Sequence, residues 1–241
     1  HDREAHGDCL EAIRRHPEVT GIFHSYSGSA EMVKELIKLG SQPAGPHLYI
    51  RHNRRFEYGF EMVTDIINSG ILGEVYQIKL CRNGFQRRND WQTLKSSGGG
   101  QICNWGPHII DHSLRFCGGE YKNLTAHTRQ IAAAGDCEDY IHAVFEGING
   151  RIVQMEISGG TALTKRQPEY EIYGSKGTLV DNGTTYTLHY IDPACELKEL
   201  VADIATPGAK AGFGGVDAPE WITEEKEWNT NALDHVWPAL Y

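Results

Sequence analysis

The chain has no two cysteines close enough in sequence to form a CxxC pair. Cys9, Cys81, Cys103, Cys117, Cys137 and Cys195 are scattered over 241 residues. A disulfide scaffold or structural zinc site would cluster them, so reduced thiols in a cytoplasmic protein are expected. No apolar run approaches the roughly 20 residues that span a bilayer. Nor does a basic start lead into an apolar stretch and a cleavage site. No membrane partner and no secretory route are expected. Positive charge is also scarce, with 23 Lys and Arg against 32 Asp and Glu and a net charge of -9. Nucleic acid selects concentrated basic surfaces, and the basic groups at 51–55 and 82–88 are interrupted, so no nucleic-acid partner is expected. Two phosphate-binding signatures are missing as well: a GxGxxG opening a helix after a strand, and a Gly-rich loop ending in GKS or GKT. Without them no Rossmann domain is expected.

What remains is an ordinary globular composition, 40% hydrophobic and 23% charged, in a chain long enough to bury a core. Residues 1–40 read as helix, strand, helix: Glu4–Arg15, an apolar strand Val19–Phe23, and Ala30–Leu39 capped by Ser29 and stopped by Gly40. That alternation belongs to parallel α/β architecture. The segment 41–46, Ser-Gln-Pro-Ala-Gly-Pro, breaks it and marks a junction. From 47 onward the pattern changes. Strands are expected at Leu48–Ile50 and Val75–Leu80, and helices at Glu57–Ser69 and Pro107–Phe116. A series of short alternating segments then runs from Asn123 to Tyr190. Asn149-Gly150 and Asn182-Gly183 mark hairpins. The fold class expected for 47–241 is α+β: an open, mainly antiparallel sheet of roughly five to seven strands with helices on one face. A small βα fragment precedes it. The uncovered sheet face is expected to be rich in apolar residues, which would call for a homo-oligomer built sheet to sheet.

The richest segment for chemistry is Gly98-Gly-Gly-Gln-Ile-Cys-Asn-Trp-Gly-Pro-His-Ile-Ile-Asp111. Pro107 suits a first helical turn, which puts Asn104 at the helix mouth. Helical spacing predicts His108, Asp111, His112 and Arg115 on one side, opposite Ile109, Ile110 and Leu114. A histidine backed by a carboxylate one turn on can act as a general acid or base. An isolated histidine is more often a cap or a core residue. Arg88, Asn89, Asp90 and Trp91 combine polar groups with an aromatic face, as a polyol pocket does; an exposed charged loop is the alternative.

Four segments carry a resemblance: Arg51-His-Asn-Arg-Arg-Phe56, Gly70-Ile-Leu-Gly-Glu-Val75, Gly98–Asp111, and Glu171-Ile-Tyr-Gly-Ser-Lys-Gly-Thr-Leu179. In this order they resemble the Gfo/Idh/MocA oxidoreductases, over roughly residues 47–241. The resemblance implies a sugar or polyol substrate, NAD or NADP as cofactor, and a C-terminal domain that forms the substrate pocket. It also implies that His108 is the catalytic histidine; Asp111 and His112, on the same polar side of the helix, are expected to contact the substrate. Asn104 falls where many members carry aspartate; an amide orients a hydroxyl but cannot accept its proton at neutral pH. The family's Glu-Lys-Pro motif, in the nucleotide-binding half, does not occur here. The dinucleotide-binding domain is therefore expected either in trans, on a separate chain, or lost from a chain that is a fragment or a fused reading frame.

His1-Asp-Arg-Glu-Ala-His6 and Gly21-Ile-Phe-His-Ser-Tyr-Ser-Gly28 resemble neighbouring segments of TatD-type metal-dependent nucleases, which are TIM barrels. His1 and His24 match histidine ligands of that family, but two imidazoles cannot hold a catalytic two-metal centre. One βα unit cannot close a barrel core. They read as vestigial ligands, in a chain expected to be truncated or chimeric. The leading reading is the substrate half of an NAD(P)-dependent sugar or polyol oxidoreductase, inactive alone. The others are a non-catalytic carbohydrate-binding or oligomerisation module, and the remnant of a metal-dependent phosphodiesterase.

Overall fold

The computed structural model describes residues 5–18, 29–42, 53–202 and 218–228. His1, His24 and the strands expected at Val19–Phe23 and Leu48–Ile50 lie outside these residues. The chain divides into two compact units, His1–Arg51 and His52–Tyr241.

The first unit holds helices α1 (His6–Arg15) and α2 (Ala30–Gly40). The Ser29 hydroxyl accepts from the Met32 N–H at 3.2 Å, so α2 starts where the sequence places its cap. Arg14 pairs with Glu35 at 3.2 Å between the two helices.

The second unit contains helices α3 (Tyr58–Asn68), α4 (Gln101–Asn104) and α5 (Gly106–Phe116). Its strands are β1 (Val75–Asn83), β2 (Tyr121–Arg129), β3 (Tyr140–Gly147), β4 (Ile152–Ser158), β5 (Tyr170–Gly174), β6 (Gly177–Asp181), β7 (Thr185–Ile191) and β8 (Trp221–Glu227). They form one open sheet in the order β2-β3-β4-β1-β5-β6-β7-β8. Every neighbouring pair is antiparallel except β1 and β4. The mainly antiparallel α+β architecture is as the hairpin turns predict.

The sheet has eight strands rather than five to seven. Trp221–Glu227 pairs along the whole of β7, although its sequence, Trp-Ile-Thr-Glu-Glu-Lys-Glu, shows no apolar alternation. Glutamates are poor strand formers in isolation; here the exposed edge of β7 supplies the backbone partners that make the strand.

Inward-facing residues of the central strands, among them Ile78, Leu80, Ile141, Phe145, Val153, Met155, Ile172 and Leu179, join Phe60, Val63 and Ile67 of α3 and Ile109 and Phe116 of α5 in one core. The alternation of buried and half-buried residues along β3, β7 and all but the end of β4 is the period-two pattern of a sheet covered on one face. The uncovered face is mixed rather than mainly apolar: Tyr140, Val144, Ile152 and Val180 share it with Gln77, Lys79, Asn83, His142, Gln154, Glu156 and Glu171, and polar contacts cross-link it. Lys79 Nζ donates to Glu171 at 3.3 Å, and Asn83 donates to Glu156 and Gln167.

Ile78 sits fully buried at the middle of β1. Replacing it with Ala is expected to lower the stability of the second unit by about 2–5 kcal/mol, read as a shift in the urea unfolding midpoint; a change below about 1 kcal/mol would show that β1 is not central to the core.

Candidate functional site

The site is built around α4 and α5, which follow the glycine run. Two 3-10 turns, Trp91–Thr93 and Lys95–Ser97, precede it. Gly98 and Gly100 adopt positive φ of 69° and 98°, which a side chain would strain. A Cβ at Gly99 would lie 2.4 Å from the Gln92 carbonyl oxygen, and one at Gly100 would lie 2.4 Å from Glu138 Oε1. The glycines therefore serve close packing against 92 and 138.

Helix α5 divides the predicted polar line. Ile109, His112, Ser113 and Phe116 are its buried face, so His112 belongs with the core rather than with His108, Asp111 and Arg115. Its ring stacks on Phe60 with centroids 4.0 Å apart. Its Nε2 lies 2.9 Å from the Arg54 carbonyl oxygen. A carbonyl only accepts, so Nε2 carries the proton, which leaves Nδ1 to accept from the Tyr170 hydroxyl at 3.4 Å. Burial pushes the His112 imidazole down to about 4, against the opposing pull of the Arg54 carbonyl. His112 is thus a neutral, packed histidine and is removed from the substrate-contacting set.

Asp111 is gripped by Arg55 through two bonds, Nε to Oδ2 at 2.8 Å and an Nη nitrogen to Oδ1 at 2.5 Å, with Arg115 3.4 Å away. This fork fixes the 3-10 turn Asn53–Phe56 to α5. His108 is half-buried one turn above, with its ring edge-on to Trp105 at 6.1 Å. The Trp105 ring in turn has the Arg54 and Arg82 guanidinium carbons 4.2 and 4.1 Å from its centroid. Burial and the nearby Arg82 push Arg54 down to about 10.

A shallow cleft of about 20 Å³, lined by polar side chains and open to solvent, lies at α4. Arg88 and Asn104 both line it, as do Gln92, Gln101, Cys137 and Glu138. The structure brings Arg88 and Asn104 together but not the rest of the expected set. His108, Asp111 and His112 are not among the lining residues, and neither are Asn89, Asp90 and Trp91. Asp90 is exposed and bonded to Arg88 at 2.7 Å, a contact that holds its carboxyl below the usual range. Trp91 and Asn89 are exposed. Glu138 was missed because it lies 34 residues beyond Asn104 in a loop with no motif; only the antiparallel return of β3 brings it to α4.

NAD or NADP does not fit these residues. A dinucleotide sits on a strand, a glycine turn and the N-terminus of a following helix. Here the run leads into a helix of four residues, and the Ile102 N–H at its start is already bonded to Glu138 Oε1 at 2.9 Å. A pyrophosphate placed there would meet that carboxylate. The turn between β5 and β6 leads from strand to strand. Among the described residues no three His, Cys, Asp or Glu side chains group as a metal site, and no helix is long and apolar enough to cross a membrane.

The second unit is an open sheet roofed on one face by α3 and α5, with a shallow cleft at the mouth of α5. Residues 60–180 match the GFO/IDH/MocA C-terminal domain, and the chain belongs to that family. Residues 1–56 match the TatD related DNase family. Scyllo-inositol 2-dehydrogenase (NADP(+)) IolW of Bacillus subtilis is 26% identical over 151 residues, which are 62% of this chain and 41% of that protein. The uncharacterized oxidoreductase YdgJ of Escherichia coli is 26% identical over 58% of this chain and 40% of its own length. The chain thus spans about two-fifths of these relatives. Among solved structures, an oxidoreductase from Bacillus cereus aligns with 88% of this chain and 70% of its own at a TM-score of 0.59 and 16% identity. An oxidoreductase from Agrobacterium radiobacter, in complex with NAD+, L-tartaric acid and magnesium, aligns with 77% of this chain and 55% of its own at 0.52 and 22%. These two likenesses establish the fold.

His112 makes stability depend on pH in a defined window. Its folded value lies below the ordinary one of 6.5, so between the two the unfolded chain binds a proton that the folded chain does not. Its contribution is complete above about 6.5 and is lost as pH falls toward about 4, by up to roughly 3 kcal/mol. His112→Gln is expected to lose less stability than the parent between pH 7 and pH 4.5 in denaturant titrations. Equal losses would show that His112 is protonated in the fold.

Proposed function

We propose that the second unit is the substrate-binding and proton-handling half of an NAD(P)-dependent oxidoreductase acting on a sugar or polyol. The observation that carries this reading is the polar cleft in which Arg88, Gln92, Gln101 and Asn104 converge at the mouth of the helix bearing His108. Amides and a guanidinium supply both donors and acceptors, which is what a polyhydroxylated ligand needs. The scyllo-inositol dehydrogenase among its relatives is consistent with a cyclic polyol. In this reading Asn104 orients a substrate hydroxyl, and His108, held edge-on by Trp105, takes or returns its proton. Asp111 acts at one remove, since its carboxylate fixes α5 against Arg55. The cofactor, NAD or NADP, is held by a dinucleotide-binding fold outside the described residues, and hydride transfer supplies the chemistry once both are assembled.

A non-catalytic carbohydrate-binding module would use the same cleft without a titrating group. His108 separates the two: loss of its imidazole abolishes turnover in the first and leaves binding intact in both. The reading also includes a homo-oligomer joined through the uncovered sheet face, whose polar network would hydrogen-bond across the interface; a monomer by light scattering at micromolar concentration would remove that element.

The chain by itself is expected to produce no enhancement of NADH fluorescence and no polyol oxidation. Adding a dinucleotide-binding domain in trans is expected to give turnover, and His108→Ala to lower it about 10²–10⁴-fold. Tight NADH binding by the chain alone, or an unaffected His108→Ala variant, would overturn the proposal.

A further inference from the structure

We propose that Glu138 is the carboxylate that receives the ligand's hydroxyl groups in the cleft, and that it selects neutral polyols over sugar acids. This rests on the reading of the cleft as a polyol site. Among the lining residues, Asn104 and the two glutamines cannot take a proton or bind hydroxyls through a charge. Asp139 is already committed. It is buried, Oδ1 accepts from the Ile131 N–H at 2.6 Å, and Oδ2 accepts from the Ala132 and Ala133 N–H groups at 2.8 Å. Glu138 is different. It is half-buried beside Arg88, Gln101 and Asn104, and Oε1 accepts from Ile102 at 2.9 Å. A carboxylate offers about four lone-pair sites, so that bond leaves lone pairs with which to accept from a ligand hydroxyl.

The loop that carries Glu138 is fastened on both sides of it. The Asp136 and Cys137 N–H groups donate to the Thr93 carbonyl at 3.1 and 3.2 Å. The Lys95 N–H donates to Asp136 Oδ1 at 2.8 Å, and the Gln101 N–H to the Glu138 carbonyl at 3.2 Å. Gly135, at φ 80°, allows the closest approach, since a Cβ there would lie 2.1 Å from the Thr93 carbonyl oxygen. Gly100 leaves the space that the carboxylate fills. The acceptor is therefore in place before a ligand arrives, and binding does not have to order it. Selectivity follows from charge. The Arg88 guanidinium is bonded to Asp90 and Gln92 through Nε and one Nη nitrogen, so Asp90 offsets its charge and a carboxylated sugar meets the like charge of Glu138, while the remaining Nη nitrogen can still donate to a hydroxyl.

The test is calorimetric titration of the full chain with myo-inositol, glucose and glucuronate. The parent is expected to bind the neutral ligands at least about tenfold more tightly than glucuronate. Glu138→Gln keeps an oxygen for the Ile102 N–H and nearly the same volume but loses the charge. It is expected to bind myo-inositol about tenfold or more weakly, as loss of a charged hydrogen bond implies, and to lose its discrimination against glucuronate. Circular dichroism and the unfolding midpoint check that the variant keeps its fold. If it does not, Glu138→Asp serves instead: the charge is kept but withdrawn by one methylene, so myo-inositol is expected to bind more weakly with glucuronate still excluded. A parent that binds myo-inositol with a Glu138→Gln variant that binds it equally would overturn the role of Glu138 and leave the cleft reading standing. A parent that binds none of the three would overturn the cleft reading and this one with it.

Discussion

The second unit depends on β1. It is the strand that joins two antiparallel meanders, β2-β3-β4 on one side and β5-β6-β7-β8 on the other, through its parallel ladder with β4 and its antiparallel ladder with β5. Each meander by itself would expose a long edge and half a core. With β1 between them, Ile78 and Leu80 complete the inward row and α5 packs across β1, β3 and β4. The parallel register, Gln77 opposite Ile152 through Asn83 opposite Ser158, also decides where β4 ends and hence where the loop following β1 begins. That loop carries Arg88.

The four segments that mark the family prove to be two pairs of packing partners. Arg55 of the first grips Asp111 of the third, and the Arg54 carbonyl accepts from His112. Leu72 of the second lies under the turn of the fourth. The Lys176 N–H donates to its carbonyl at 2.8 Å, the Ser175 hydroxyl accepts from Glu74 at 2.9 Å, and a Cβ at Gly174 would lie 2.1 Å from the Leu72 oxygen. Their common order along the chain reflects this pairing. Much of what looks like an active-site signature is thus the frame that aims α5. The pair at Asp111 is partly exposed, so its value lies more in geometry than in stability.

The cleft is made from loops, yet it is not loosely built. Asp139 gathers three backbone N–H groups, Thr93 receives two more, and glycines at 99, 100 and 135 let backbones touch. Such saturation is what places side chains such as Arg88 and Glu138 within reach of one ligand. The same economy of partners explains why a dinucleotide has no place there: the N–H group that would greet a phosphate already has its acceptor.

The sequence by itself determined the class of fold and most element positions, because period-two alternation, Asn-Gly turns, the Ser29 cap and Pro107 act over a few neighbouring residues. It marked His108, Asn104 and Arg88 as polar groups in a family order, and the absence of a glycine-rich βα turn was legible in the same way. The tertiary structure alone decided three further things. It put His112 in the core, because one helical turn serves two faces and only the packing of Phe60 and Tyr170 chooses between them. It made Trp221–Glu227 a strand, because a run of glutamates becomes extended only when the edge of β7 offers hydrogen bonds. And it carried Glu138 to Asn104, since a contact between residues 34 positions apart is fixed by the path of β2 into β3 and leaves no periodic trace in the residues themselves.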